Sequence, residues 1–425
     1  MQPSFQELAR ACAKIGCLSF GGPAAQIALM HRVFVEEKKW IDEARYLHAL
    51  NYCMLLPGPE AQQLATYVGW LLHGVKGGIV AGALFVLPGA LVVFALSWLY
   101  AVHGNAPLVE AAFFGVRAAV LAFVVEALIK ISRRALKGRA DLWTAIAAFA
   151  ALTLFAVPFP VIILIAAIVG AWRARGDAAP MPEKAKVAAA PRNTLFAAAL
   201  WAGAWAAPVA LSFFALGPQH IVTRVGIFFS KLALVTFGGA YAVLAYLRQQ
   251  AVEVEGWLTA PQMIDGLGLA ETTPGPLVLV NQFVGFLGGW QAEGGSLLLA
   301  AAAAFMASWC TFAPSFLWIF AGAPYAERLR ENPRAAGALR AITASVLGVI
   351  ANLAFWFAVH VLFREAVQVE TPWGAALTLP HAASFDLLAA LIAAGSAVAL
   401  VRFHANAIAV VLCALAAGVL ISFMG

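Results

Sequence analysis

The chain has 425 residues, of which 63% are hydrophobic and 11% charged, with a formal net charge of +6. An average soluble domain carries roughly 25% charged residues, so this composition excludes a soluble protein and makes lipid the solvent. The basic excess falls in short segments between apolar stretches, where it reads as a topology signal and excludes a nucleic-acid partner.

The chain opens on MQPSFQELARACAKIG, which lacks the basic region, short apolar run and small-residue cleavage site of a secretory signal. The mature chain is therefore expected to begin here, and the first membrane element to be structural. Hydrophobic elements follow at 5–30, 46–73, 77–101, 108–131, 141–157 and 158–172. A linker rich in Ala, Pro and charge, 173–193, precedes one connecting apolar segment, 194–216. Six more elements occupy 221–246, 262–289, 295–322, 336–362, 384–401 and 404–424, about 13 in all. Nearly uncharged runs such as 77–101 and 295–322 are long enough to cross a ~30 Å hydrocarbon core. They run continuously through Leu, Val, Ala, Phe and Gly, whereas barrel strands alternate over about ten residues. The fold class is all-α and polytopic. Five cysteines are scattered through apolar segments without metal-ligand spacing, so they read as core hydrophobes and no metal or other cofactor is expected.

The two sets of elements are related. Phe20-Gly21-Gly22 recurs as Phe237-Gly238-Gly239, Trp40 as Trp257, and Pro57-Gly58-Pro59 as Pro274-Gly275-Pro276, each at an offset of 217 (237 − 20, 257 − 40, 274 − 57). Farther on the offset becomes 226, pairing Pro88 with Pro314 (314 − 88). The domains are thus a first repeat over 1–172, the linker, the connecting helix, and a second repeat over 217–425. The extra span places equivalent elements an odd number of crossings apart, which predicts inverted repeats, a feature of secondary transporters. Loop charge agrees. Lys130, Arg133, Arg134, Lys137 and Arg139 mark 130–139 as cytoplasmic, while the corresponding 363–382 carries Arg364 against Glu365 and Glu370. Conversely 102–107 has no Lys or Arg, but 323–340 has Arg328, Arg330, Arg334 and Arg340. The charged loop 31–45 conflicts with this topology unless elements 5–30 and 46–73 are re-entrant; re-entry is expected for the PGP element 46–73 and stays open for 5–30.

The chemistry lies in the breaks. Two prolines around a glycine end one helix and begin another, which places polar backbone at membrane depth. That is tolerated only where it is buried in protein or lines a cavity. A helix beginning there offers N–H groups and roughly half a positive charge, both suited to an anion. The candidate anion contacts are Ser19, Gly21, Gly22, Gln26, Asn51, Pro57, Gly58, Pro59, Gln62 and Gln63 in the first repeat. In the second they are Thr236, Gly238, Gly239, Thr272, Thr273, Pro274, Gly275, Pro276, Asn281 and Gln282. Lys14 and Lys231 are also 217 apart (231 − 14), and a pair of cations suits a divalent oxyanion as well as it suits snorkelling to an interface. Glu60 and Glu271 are the candidate coupling carboxylates, with dipole compensation as the plainer role for Glu60. Glu110 and Arg117 share a helix face and are expected to pair. No nucleotide, flavin or haem motif is present, so transport is expected to be secondary or passive and the chain is not expected to be an enzyme.

SFGGPAAQIALMHR (19–32), LHALNYCMLLPGPEAQQLATYVGWLLH (47–73) and GGIVAGALFVLPG (77–89) resemble the chromate transporter family in its long two-domain form. VTFGGAYAVL (235–244) and GLAETTPGPLVLVNQFVGFLGGW (268–290) are the second-repeat counterparts. The resemblance implies a multi-pass protein of the bacterial inner membrane that expels chromate and confers resistance. It implies a drive from the proton-motive force or anion exchange, with sulfate as competitor or counter-substrate. A homodimer is a further expectation. The residues themselves reach only an anion-suited duplicated transporter, leaving sulfate uptake or exchange, a passive anion channel and an intramembrane enzyme as the other readings.

Overall fold

The computed structural model describes residues 3–176, 192–237, 240–322, 333–372 and 376–424. Helix boundaries follow the local punctuation of the sequence. α1 (Phe5–Leu18) starts on a capping box in which Glu7 N donates to Ser4 Oγ at 3.2 Å and Ser4 N donates to the Glu7 carboxylate at 2.8 Å. It stops at Ser19, and α2 (Gly22–His31) begins after a left-handed Gly21 with a proline in its first turn. A π-helical segment, Arg32–Glu37, leads to α3 (Glu43–Cys53), capped by the Asp42 side chain. Beyond the PGP break comes α4 (Glu60–His103), which non-helical His73 and Gly74 divide into arms 60–72 and 75–103. Then follow α5 (Pro107–Ala135), α6 (Arg139–Phe155), α7 (Phe159–Arg173) and α8 (Arg192–Leu216).

The second half repeats the punctuation. The end of α9 (Ile221–Val235) is displaced from the end of α1 by the motif offset of 217 (235 − 18). α10 (Ala240–Arg248) runs into a second π-helical segment, Gln249–Val254, whose start keeps that offset from the first (249 − 32). So does the start of α11 (Ala260–Thr272) from that of α3 (260 − 43). After the second PGP come a 3₁₀ turn (Leu277–Leu279), α12 (Val280–Ala292) and α13 (Leu297–Gly322). The start of α14 (Pro333–Leu362) is offset from that of α5 by 226 (333 − 107). For α15 (Leu387–Phe403) against α6 and α16 (Ala407–Met424) against α7 the offset is 248 (387 − 139, 407 − 159). The step from 226 to 248 is taken up by a hairpin that the reading of 363–382 as a loop did not foresee. Its strands, β1 (Ala366–Glu370) and β2 (Ala376–Pro380), pair antiparallel.

Six described helices are long and apolar enough to cross a membrane: α4, α5, residues 196–216 of α8, α13, α14 and α16; α7 and α15 are shorter apolar helices. The chain is an all-α polytopic membrane protein. The helices on either side of the breaks are short, 14 and 10 residues for α1 and α2, 15 and 9 for α9 and α10. Each such pair is one element interrupted partway.

The chain divides into two compact units. The first comprises 1–98, 176–240 and 273–336. Within it α12 lies tightly along α13, because a side chain at Gly285 or Gly289 would run into the α13 backbone. The second comprises 99–175, 241–272 and 337–425. There α5 is the central helix, with α11, α15 and α16 against it, and Gly115 of α5 meets the α16 backbone directly. Each unit draws helices from both repeats.

Candidate functional site

In the first unit the breaks of the two repeats are bonded to each other. Gly58 N donates to Thr236 O at 2.9 Å, and Gly275 N donates to Ser19 O at 2.8 Å. These are one interaction seen twice, since 275 − 58 and 236 − 19 both equal 217. Both glycines have positive φ, 115° at Gly58 and 94° at Gly275, a conformation that L side chains rarely adopt. A Cβ at Gly58 would also lie 2.9 Å from Gln63 Nε2. The second break is approached as closely: Gly89 of α4 has no room for a side chain beside Pro274 O.

Buried amides hold the unwound backbone. Gln26 Nε2 donates to Gly275 O at 2.7 Å, Gln63 Nε2 to Pro57 O at 2.8 Å, and Gln282 Nε2 to Ala90 O at 2.9 Å. Asn281 Nδ2 donates to Thr311 Oγ1 at 3.0 Å, and Gln62 Nε2 faces Phe312 O at 3.4 Å. Without such donors these carbonyls would cost several kcal/mol each in a lipid environment. The side-chain oxygens of all five amides are buried and accept no hydrogen bond from the described residues.

A pocket of roughly 340 Å³ of atom-free space, its mouth included, opens at this crossing. Its lining is Pro23, Gln26, Gly58, Pro59, Glu60, Ala61, Thr236, Ala240, Pro276, Leu277 and Val278. Pro23 and Gln26 belong to the opening turns of α2, Glu60 and Ala61 to that of α4, Ala240 starts α10, and Leu277 and Val278 open the turn leading into α12. Four helix starts therefore meet at one pocket. The first turn of a helix has N–H groups without intrahelical acceptors and roughly half a positive charge, so the lining favours an anion. Among the described residues that line it, Glu60 is the one with an ionisable side chain.

Of the residues singled out from the sequence, Gln26, Gly58, Pro59, Glu60, Thr236 and Pro276 line the pocket, and Ser19 and Gly275 are bonded to each other outside its lining. Gln62, Gln63, Thr273, Asn281 and Gln282 are buried behind the breaks, where Gln63 holds Pro57, while Gly21, Gly22 and Pro274 form the breaks themselves. Thr272 turns its hydroxyl onto the Gly268 and Leu269 carbonyls of its own helix, each at 3.0 Å. Asn51, Lys14 and Lys231 are exposed and line no part of the pocket. Gly238 and Gly239 lie outside the described residues.

The second unit holds the charges. The expected Glu110–Arg117 pair does not form: Arg117 makes a two-pronged bridge to Asp265, at 2.7 and 2.8 Å, and Tyr100 OH donates to the same carboxylate at 2.7 Å. Asp265 is fully buried and Glu110 exposed, so the guanidinium goes to the acid that water cannot serve. Glu271, 5% exposed, accepts from Tyr241 OH at 2.6 Å and is bridged by no cation among the described residues. Asp265 and the two tyrosines were missed from the sequence. Asp265 alone left a signal there, as a second acid beside Glu271 in an apolar segment.

A family model described as "Chromate transporter" matches the chain twice, over residues 6–171 and 223–419. A probable chromate transport protein of Synechococcus elongatus is 30% identical over 365 residues, covering 86% of each chain. A chromate transport protein of Cupriavidus metallidurans is 29% identical over 388 residues, 90% of this chain and 89% of that one. One of Pseudomonas aeruginosa is 34% identical over 352 residues, 82% of this chain and 79% of that one. No solved structure matches.

Proposed function

Because the chain belongs to the chromate transporter family, we propose that it carries chromate out across the bacterial inner membrane, with the oxyanion bound at the crossing of the broken helices. The observation that carries the site is the pocket lined by four helix starts. Chromate is a tetrahedral dianion, and shedding its hydration requires several donors arranged around it. First-turn N–H groups supply donors without introducing a fixed counter-charge, and the amides behind them hold the unwound backbone that presents those groups. A carboxylate beside a dianion repels it unless it is protonated, so Glu60 is a poor direct contact for the anion.

Lys14 stands five residues before Ser19 on α1, about 7 Å along the helix, and Lys231 has the same place before Thr236 on α9. Exposed so close to the breaks, the two lysines face a water-filled approach and draw the dianion toward the pocket. The repeats are inverted, and export proceeds by alternating access around the crossing. The drive is the proton-motive force, acting through Glu271 with Glu60 as second candidate, or exchange against another anion. Sulfate, of the same shape and charge, competes.

Two experiments test this reading. Radiolabelled chromate is expected to enter everted vesicles, to be inhibited by excess sulfate, and to stop on adding an uncoupler; flux that persists without a gradient and without a counter-anion would indicate a passive channel. Single cysteines near Arg134 and Arg334 are expected to label only from the cytoplasm, and those near Asn105 and Glu370 only from outside. Labelling of Arg134 and Glu370 sites from one face would rule out inversion.

A further inference from the structure

Each repeat clamps its π-helical segment with an ion pair. His31, the last residue of α2, has Nδ1 3.1 Å from Glu36 Oε1, and Arg248, the last residue of α10, has Nη1 2.6 Å from Glu253 Oε1. The two pairs are equivalent at the offset of 217 (248 − 31, 253 − 36). Hydrogen bonds in a π-helix run between residues five apart, which brings such residues to one face. The cations differ. Arg248 is buried and keeps its charge at every working pH, whereas the His31 side chain is 26% exposed and titrates. His31 also has a second partner: its Nε2 lies 2.6 Å from Glu43 Oε2 at the start of α3, where the equivalent residue in the second repeat is Ala260 (260 − 43). The ring stands edge-on to Tyr46 of α3, with centroids 5.1 Å apart, and Tyr46 OH donates to Ile27 O of α2 at 2.6 Å.

These contacts hold one end of α2, and the other end forms the anion pocket. The helix is ten residues long, about 15 Å, and Pro23 and Gln26 in its opening turns line the pocket, with Gln26 bonded to Gly275 O. An imidazolium has two N–H donors, one for each carboxylate, but a neutral ring has one N–H and one lone pair. On losing its proton His31 keeps one glutamate and turns a lone pair toward the other. The titratable groups that face the ring are Glu36 from the π-helical segment and Glu43 and Tyr46 from α3. The hydrogen bond to Glu43, with Glu36 adding to it, raises the His31 pKa above the ordinary histidine value. What the two bonds contribute is therefore complete below about pH 6.5 and is lost as pH rises through the raised value.

We propose that His31 is a positioning residue of the anion pocket, holding α2 in place only while it is protonated, so that chromate affinity falls as the ring loses its proton. This deepens the reading of the crossing as the anion site and rests on it. The second repeat keeps its arginine clamp at every pH, so control by protons falls on one of two equivalent helices.

The test uses the full chain in proteoliposomes with the same pH on both faces, so that no proton gradient contributes. The KM of labelled chromate exchange is measured at about pH 6 and about pH 8.5, on either side of the histidine range. Chromate itself takes up protons toward acid pH, which cancels when variant and parent are compared at one pH. His31→Arg should keep its low-pH KM at the higher pH, where it should lie about threefold below the parent, the size expected of exposed ion pairs. His31→Gln should raise KM about threefold at the lower pH and match the parent at the higher. Glu43→Gln gives the lone pair of the neutral ring an amide N–H to accept, and should likewise remove the loss at the higher pH. If the ratio of each variant to the parent is the same at both pH values, His31 does not position the pocket, even where the variants melt at lower temperature. Gln26→Leu, at the pocket end of α2, separates the latch from the pocket. A raised KM there with flat His31 ratios sinks the latch alone, and a parental KM sinks the pocket and the latch with it.

Discussion

The crossing in the first unit and the α5–α11 seam in the second are built from opposite materials. At the crossing, equivalent positions of the two repeats do equivalent work: Gly58 donates to Thr236 as Gly275 donates to Ser19, and the supporting side chains are amides and hydroxyls. The seam has no such symmetry. At the 217 offset Asp265 corresponds to His48, Glu271 to Met54 and Tyr241 to Ala24, so none of its acids has an equivalent in the first repeat. A duplicated element can keep a neutral site made of backbone, because backbone survives substitution. The acids of the seam, by contrast, are placed once. In the function proposed above the repeats share the anion between them, while a directional step requires a difference between them.

The largest effect is expected where the crossing is broken. Pro57→Ala together with Pro59→Ala lets the chain run helical from α3 into α4, which removes the helix start that Glu60 and Ala61 bring to the pocket. Chromate transport should be lost, while membrane insertion, measured by abundance in the membrane fraction, should persist. Transport at the parental rate would move the anion site away from the breaks.

Much of the crossing was legible beforehand. The PGP and FGG motifs give the breaks, and their common offset shows that two such elements exist. What no offset can show is which break bonds to which: the Gly58–Thr236 and Gly275–Ser19 bonds join residues of different repeats, and local sequence carries no signal for a contact between distant segments. The seam was largely illegible for the same reason. Arg117 has Glu110 two turns away on its own helix, and spacing alone favours that pair. The pairing with Asp265, 148 positions away, follows from burial, because a fully buried carboxylate without a cation costs more than an exposed one. The hairpin in 363–382 was hidden because five-residue strands with every side chain of β1 exposed carry no apolar alternation that stands out from a loop.

A second, smaller effect separates structure from transport at the seam. Arg117→Ala takes the cation from a buried Asp265 and leaves it the Tyr100 hydroxyl, which should destabilise the protein by about 3 kcal/mol. Thermal stability of the purified chain in detergent should fall accordingly. The double change Arg117→Gln with Asp265→Asn removes both charges and should recover most of the loss. Chromate KM in whatever protein remains folded should be close to the parental value. A raised KM with unchanged stability would reverse the contrast and put Arg117 in the anion path.

The smallest effect concerns the lysines, where the two regions could still prove alike. Lys14 and Lys231 are the only charges that the duplication carries symmetrically onto α1 and α9, yet both are exposed and neither lines the pocket. An ammonium at mid-membrane depth facing lipid costs about 2.5–3.5 kcal/mol on insertion scales, a cost that two copies would double. Snorkelling avoids it only if the break end of each short helix lies near an interface, whereas the crossing requires those ends to lie deep. If the approach is wet, each lysine acts on the dianion through water, where screening limits a single charge to about 1 kcal/mol. Lys14→Ala or Lys231→Ala should then raise chromate KM several-fold with abundance unchanged, and the double variant should multiply the two effects. Lys→Arg should keep most of the affinity, and the effect should shrink as ionic strength rises. A double alanine variant with parental KM at low salt would assign both lysines to the interface, leaving an anion site held by helix starts and amides alone.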